Sequence, residues 1–368
     1  MKHTGVISMG VKAPIIRQGD NLEDIVYTCV KAALDENGKT FNDGDVIGIT
    51  ESIVARAQGN YVTINDVIES LKKLTNGNKN LFLIEPIMSR NRFSLILRAF
   101  ARYADSIVVY HDDYLDEQGN PTIDVNPFTG INVSDYYRQI CEEENCEYNH
   151  MVQYMPGKAF TDDFVIINAR CHPNSYELEL TLKDIMTEPI NDSGYNRDWG
   201  LLGSNKADEE VLKLFPRKDE AQQLVEAIQQ RILKEDDKHV HVLINGDGCF
   251  HSPKIEGFFG SSINEWADPV TCPAYTAGLD GTPNELKLKA FADGKYKHLN
   301  GKELEDAIKE EIRLSQKEEL VGSMTSQGTT PRRYYDLLAS LFDLLTGSGS
   351  KGTPITYCAN YFSNYGDN

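Results

Sequence analysis

Long apolar runs are missing from this 368-residue sequence. No stretch reaches the ~18 apolar residues of a membrane span. The opening Met-Lys-His-Thr-Gly leads into no apolar run of signal length. Cysteines at metal-binding spacing are also missing. Cys29, Cys141, Cys146, Cys171, Cys249, Cys272 and Cys358 are odd in number and form no CxxC pair. Cys141 and Cys146 flank a Glu-rich helix end and read as two free thiols rather than half a zinc site, because no second pair is near. A soluble protein of the reducing cytoplasm is therefore expected. Positive charge is scarce: 37 Lys and Arg stand against 56 Asp and Glu, a net charge of −19. That balance excludes nucleic-acid backbones and anionic membranes as expected partners, since both want basic patches. An anionic small molecule would need local help from a metal ion, a helix N-terminus or a few placed cations. Internal repeats and low-complexity linkers are absent as well.

What is present is core-forming material. Hydrophobic residues make up 40% of the chain, so a sizeable core can be buried, and the 368 residues are enough for two domains or one domain with large inserts. Apolar side chains at Leu22, Ile25, Val26, Cys29, Val30 and Ala33 recur every three or four residues and predict a helix over 22–34. A β-rich run over 45–50 follows the Asp43-Gly44 turn, and a polar segment from Glu51 to Arg56 comes next. Residues 76–190 alternate strand signals (81–84, 107–110, 164–167) with a helix over 92–104, which favours a mostly parallel sheet. Further on, 187–205 is loop-rich. A helix is expected over 219–233 and a buried strand over 240–244, with His239 and His241 as core or edge residues. An exposed helix is expected over 303–314. Thr330-Pro331 reads as N-cap and N1 of a helix that carries Tyr334, Leu337, Leu338, Leu341, Phe342 and Leu345 and stops at Gly347. A strand follows over 354–361.

Several loops between these elements have the composition of ligand sites. Gly347-Ser348-Gly349-Ser350-Lys351-Gly352-Thr353 is not a P-loop, which reads GxxxxGK[ST] from strand to helix. Here Lys351 precedes Gly352 and the loop runs from helix to strand. A C-cap and turn would account for it; alternatively its backbone N–H groups form an anion nest with Lys351 as counter-charge. Asn245-Gly246-Asp247-Gly248 follows a buried strand, where open α/β sheets place ligands. Asp247 there is a hard oxygen ligand or simply part of a tight turn. Gly203-Ser204-Asn205 precedes Lys206 and an acidic stretch that reads as a helix start, with Ser204 or Asn205 as its cap. Arginines at two expected helix starts, Arg90 with Arg92 and Arg332 with Arg333, oppose the helix dipole and mark possible anion contacts. The clusters at 126–130 and 281–287 read as a structured turn and a helix start.

These loops, taken in order with the early Ala13-Pro14-Ile15-Ile16 turn, resemble the coenzyme F-420:L-glutamate ligase family. The resemblance covers residues 8–70, about 192–262 and about 330–362. It implies an α/β fold with mixed sheets and a discontinuous ligase-like core. That core would comprise residues 1–75, 191–263 and 329–368, with an inserted α/β block at 76–190 and a second insert at 264–328.

By resemblance the activity is a nucleoside-triphosphate-dependent amide ligation. GTP would be the nucleotide and Mg²⁺ or Mn²⁺ the metal. L-glutamate would be added to a carboxylate acceptor through an acyl phosphate, by a homodimer. The nucleotide positions carry over to Ala13, Pro14, Ile15, Ile16, Glu51, Ser52, Arg56 and Asn205, and to Ser348, Gly349, Lys351, Gly352 and Thr353 of the Gly-rich loop. The metal carries over to Asp247 with Gly248. Two other acidic metal positions of the family fall on Leu202 and Ser348, which leaves Asp192 and Asp198 as candidates to replace them. No general base is assigned. Because of Leu202 and Ser348, the alternative is a nucleotide- or phosphometabolite-binding protein that has lost catalysis, or a ligase for another acceptor such as a folate.

Overall fold

A computed structural model describes residues 4–84, 91–110, 125, 129–151, 163–169, 180–246, 255–256, 262–263, 272–277, 288–315, 334–347 and 349–363. From the N-terminus come β1 (Ile7–Val11), α1 (Leu22–Glu36), β2 (Val46–Thr50), α2 (Glu51–Gln58), β3 (Tyr61–Thr63) and α3 (Ile64–Leu74). Next are β4 (Asn80–Ile84), α4 (Asn91–Tyr103), β5 (Ser106–Tyr110), α5 (Val133–Glu143), β6 (Glu147–Met151), β7 (Val165–Asn168) and β8 (Leu180–Thr181). Then follow β9 (Ser204–Asp208), β10 (Val211–Leu214), α6 (Lys218–Asp236), β11 (His241–Gly246), β12 (Ile255–Glu256), β13 (Ser262–Ile263) and β14 (Cys272–Ala277). The chain continues through α7 (Leu288–Asp293), α8 (Gly301–Ser315), α9 (Tyr334–Thr346) and β15 (Ile355–Ala359). The α/β class expected from sequence is the one observed.

The first sheet has the order β1-β15-β2-β11-β14 and is mixed: β2 and β11 are parallel, and the other pairings are antiparallel. Its strands come from both ends and the middle of the chain, so its core is discontinuous in sequence. One face is covered by α1 and α6, whose stripes at Val26, Val30, Leu34 and at Val225, Ile228, Ile232 pack on Ile47, Ile49, Val242 and Ile244. The other face is covered by α9, whose Leu338, Ala339 and Phe342 bury Val46, Leu243 and Cys358. Gly48 makes this seam possible. A Cβ there would lie 2.2 Å from Phe342 Cδ2 and 2.4 Å from Thr356 Oγ1, so only glycine lets the ring lie on the strand.

Residues 80–181 build the second sheet, order β6-β5-β4-β7-β8, in which every pairing is parallel. The parallel reading of this block is thus met. Its β4 and β5 core runs into α4 and α5 and on into α3, Leu182, Leu201, Leu202, Leu212 and Leu214 as one apolar cluster. Arg102 fastens the block to a third sheet by donating to Glu144 at 2.9 Å and to Glu210 in the β9–β10 turn at 2.9 Å. Together with Arg98 it holds the Glu144 carboxyl below the ordinary carboxylate range. Cys141 and Cys146 are free thiols, and both are buried.

The third sheet, β3-β10-β9, corrects one expectation. The stretch after Gly203 is not a helix start: Ser204–Asp208 is a strand paired antiparallel with β10. Its acidic residues belong to a hairpin turn, and Ser204 Oγ donates to Leu201 O at 2.6 Å instead of capping a helix. The alternation in Val211-Leu212-Lys213-Leu214 explains why. Leu212 and Leu214 feed the apolar cluster, and that burial outweighs any helical tendency of the polar strand beside them. The polar segment 51–56 forms most of a helix, α2. His239 lies just before β11, and His241 is its first residue.

Candidate functional site

Where β2 ends, the chain turns directly into α2, so Glu51 and Ser52 sit at a helix N-terminus. Thr50 is the N-cap but makes no side-chain cap hydrogen bond, leaving first-turn N–H groups for other acceptors. Two cavities meet at this point. The larger, about 1220 Å³, lies between α2, the 15–18 segment and the hairpin β9–β10. The smaller, about 410 Å³, lies between the 13–16 turn, the end of β11 and the 347–354 loop. Ile15, Ile16, Glu51, Ser52 and Arg56 line both.

Across the third sheet, Lys213 is paired with Tyr61 on one side and Asn205 on the other. Directly opposed residues share a face, so these three form one row along the wall of the larger cavity. Glu51, buried at 4% exposure, anchors the row to α2. Asn205 Nδ2 donates to Glu51 Oε1 at 3.2 Å, Lys213 Nζ donates to Ser52 Oγ at 2.6 Å, and Lys213 Nζ lies 3.5 Å from Glu51 Oε2. Gly246 admits Glu51 to this position: a Cβ on Gly246 would lie 2.6 Å from Glu51 Cγ.

In a chain of net charge −19, this cavity reverses the sign. Arg17, Arg56, Lys206 and Lys213 face it against Glu51 and Asp208. Among the described residues the side chains of Arg17, Arg56 and Lys206 make no hydrogen bond or ion pair. Unpaired cations beside an uncapped helix start can receive an anion, and Arg56 can do so bidentately. Ile15, 82% exposed at the mouth of both cavities, offers an apolar surface for a flat ring.

Several sequence candidates therefore converge: Ala13, Pro14, Ile15 and Ile16 with Glu51, Ser52, Arg56 and Asn205, and Gly349, Gly352 and Thr353 along the smaller cavity. The turn and the loop are tied by Ala13 N donating to Gly352 O at 3.2 Å. Lys351 instead folds back, with Nζ 2.7 Å from where a Cβ on Gly347 would stand. Asp192 and Asp198 are exposed and line neither cavity, and Asp198 pairs with Lys218 at 3.4 Å. Asp247, Gly248, Ser348, Arg90, Arg332, Arg333 and the clusters 126–128 and 281–287 lie outside the described residues, as does the side chain of Arg92.

Sequence reasoning passed over Lys213, Tyr61 and Arg17. A lysine between two core leucines was the available signal for Lys213. Asn245, already singled out with its loop, is the last residue but one of β11; it lines the smaller cavity, 2% exposed, with an Oδ1 that accepts no hydrogen bond among the described residues.

The described residues do not fit a metal by themselves. No three His, Cys, Asp or Glu side chains among them converge. Leu202 is packed in the apolar cluster, and Glu51 already faces the Lys213 ammonium. No helix among the described residues is long and apolar enough to cross a membrane.

Fold and cavity together define an α/β protein whose discontinuous core frames a cationic pocket at a strand-to-helix turn. The family model described as F420-0:Gamma-glutamyl ligase matches residues 10–360, and the chain belongs to that family. A curated relative, the coenzyme F420:L-glutamate ligase of Methanothermobacter thermautotrophicus, is 33% identical over 91 residues, 24% of this chain. The match spans 34% of that relative's length.

Proposed function

We propose that this chain is a nucleoside-triphosphate-dependent γ-glutamyl ligase. GTP is the proposed nucleotide, L-glutamate the amine and an F420-0-like carboxylate the acceptor. The observation that carries the reading is the cation-lined cavity at the start of α2, in a member of this family. In the proposed reaction the acceptor carboxylate oxygen attacks the γ-phosphorus and a nucleoside diphosphate leaves. The glutamate amine, having lost a proton, attacks the acyl carbon, and phosphate departs with both electrons of the broken C–O bond.

This chain's share of the work is positioning and charge neutralisation. Arg56, Arg17 and the α2 N-terminus receive phosphates. Ile15 supports the base, and Asn205 and Ser52 hold polar atoms at the junction of the cavities. Mg²⁺ or Mn²⁺ belongs to the proposal, with Asp247 as the candidate residue to hold it, and no step above is routed through it. A homodimer is part of the same reading.

Incubation with GTP, L-glutamate and F420-0 tests it. A product heavier by one glutamyl residue, formed together with GDP, is expected. The second reading, a nucleotide-binding protein without turnover, is favoured by the burial of Leu202 in the apolar cluster. GTP binding with no product and no GDP in the presence of every substrate would select it.

A further inference from the structure

Lys213 sits where a lysine is costly. It is 6% exposed on the middle strand of the third sheet, and an ammonium removed from water must be paired and hydrogen-bonded in good geometry. Its pairing is incomplete. The ammonium has three donors. One reaches Ser52 Oγ at 2.6 Å, while the nearest carboxylate oxygen, Glu51 Oε2, stands off at 3.5 Å. That oxygen is itself buried and accepts no hydrogen bond among the described residues. The two charges are therefore near enough to compensate each other but are not locked. Both line the same cavity as Arg56.

A slack internal pair on the wall of a cationic cavity behaves like a place-holder. We propose that Glu51 occupies, in the ligand-free protein, the charge position that a phosphate oxygen takes at Lys213. The Lys213 ammonium is then the buried anchor of the bound polyphosphate, and Glu51 is its internal competitor. The inference rests on the reading of this cavity as a triphosphate site.

It predicts effects of opposite sign from two residues in contact, which a purely structural pair would not give. Calorimetric titration with inorganic tripolyphosphate, and separately with GTP, supplies the test. Lys213→Met should weaken tripolyphosphate by about 10- to 100-fold, the span expected for losing one charge-assisted hydrogen bond. Glu51→Gln should tighten it several-fold. Guanosine, which has no phosphate, should respond to neither variant.

If Lys213→Met fails to fold because Glu51 is left uncompensated, the double variant Lys213→Met/Glu51→Gln removes both charges. It should bind tripolyphosphate more weakly than Glu51→Gln alone. Weaker binding by Glu51→Gln, or unchanged binding by Lys213→Met, overturns the inference. Either result alongside intact GTP-dependent ligation leaves the ligase reading standing. Opposite-sign effects on tripolyphosphate with no glutamyl product would keep the anchor and remove the ligase reading. A wild-type protein that binds neither tripolyphosphate nor GTP overturns both.

Discussion

Replacing Gly246 by alanine tests the architecture of the site at its tightest point. The added Cβ would stand 2.6 Å from Glu51 Cγ, 3.2 Å from Glu51 Cβ and 3.4 Å from Phe215 Cζ. The Cβ and Cγ of Glu51 cannot easily yield, whatever freedom its carboxylate keeps. It is the first residue of α2, buried, held by Asn205 at 3.2 Å and faced by Lys213 at 3.5 Å. Overpacking of this kind costs about 1–3 kcal/mol. The opposing gain, fewer unfolded conformations for alanine than for glycine, is about 0.4–1 kcal/mol. The clash therefore wins, and a net loss of about 1–2 kcal/mol is expected. Denaturant unfolding would show it as a lower midpoint at constant slope. Gly349 lies in the loop beside the smaller cavity, and a Cβ there meets nothing within 4 Å. Gly349→Ala should leave the midpoint unchanged or slightly raised. A Gly246→Ala protein as stable as wild type would refute the claim that the stem of Glu51 packs against β11.

Three further outcomes follow from other parts of the molecule. Arg56 is exposed and makes no partner among the described residues, so Arg56→Ala should weaken GTP by about tenfold or more without moving the unfolding midpoint; a shift in stability with intact affinity would contradict its placement. Phe342 is fully buried over Gly48, and Phe342→Ala should cost about 3–5 kcal/mol, measured by the same unfolding assay. Asp45, 1% exposed, accepts from Tyr357 Oη and from Asn42 N at 2.7 Å; burial pushes its carboxyl above the ordinary range, against those two bonds. A raised folded-state pKa means that its contribution is full at acid pH and is lost as pH rises through the folded value. Asp45→Asn should therefore gain stability relative to wild type as pH rises from acid to neutral, and a variant that instead gains on wild type as pH falls would refute the sign.

Local pattern in the chain was enough for the helices 22–34, 219–233 and the one ending at Gly347, and for the strands at 45–50, 240–244 and 354–361. In each, apolar spacing and the punctuation by Gly, Pro or Asp-Gly agree with the partner that buries the element. The parallel character of the 80–181 sheet was legible for the same reason, since strand and helix signals alternate there. Residues Ala13 to Ile16, Glu51, Ser52, Arg56 and Asn205 were legible as a group only through their order along the chain.

What sequence could not decide was pairing. Ser204–Asp208 has the local composition of a capped acidic helix start. It becomes a strand because β10, with Leu212 and Leu214 buried beneath it, offers an edge. With the pairing of β10 to β3, that pairing aligns Asn205, Lys213 and Tyr61 across the sheet, and Lys213 meets Ser52 and Glu51 from a strand more than 150 residues away in the chain. Residue identity and spacing determined which elements form and that an acidic chain would need local cations to hold an anion. Only the tertiary structure decided which cations those are, because a side chain's charge is read from sequence but its neighbours are set by long-range strand pairing and by where a glycine lets two elements touch.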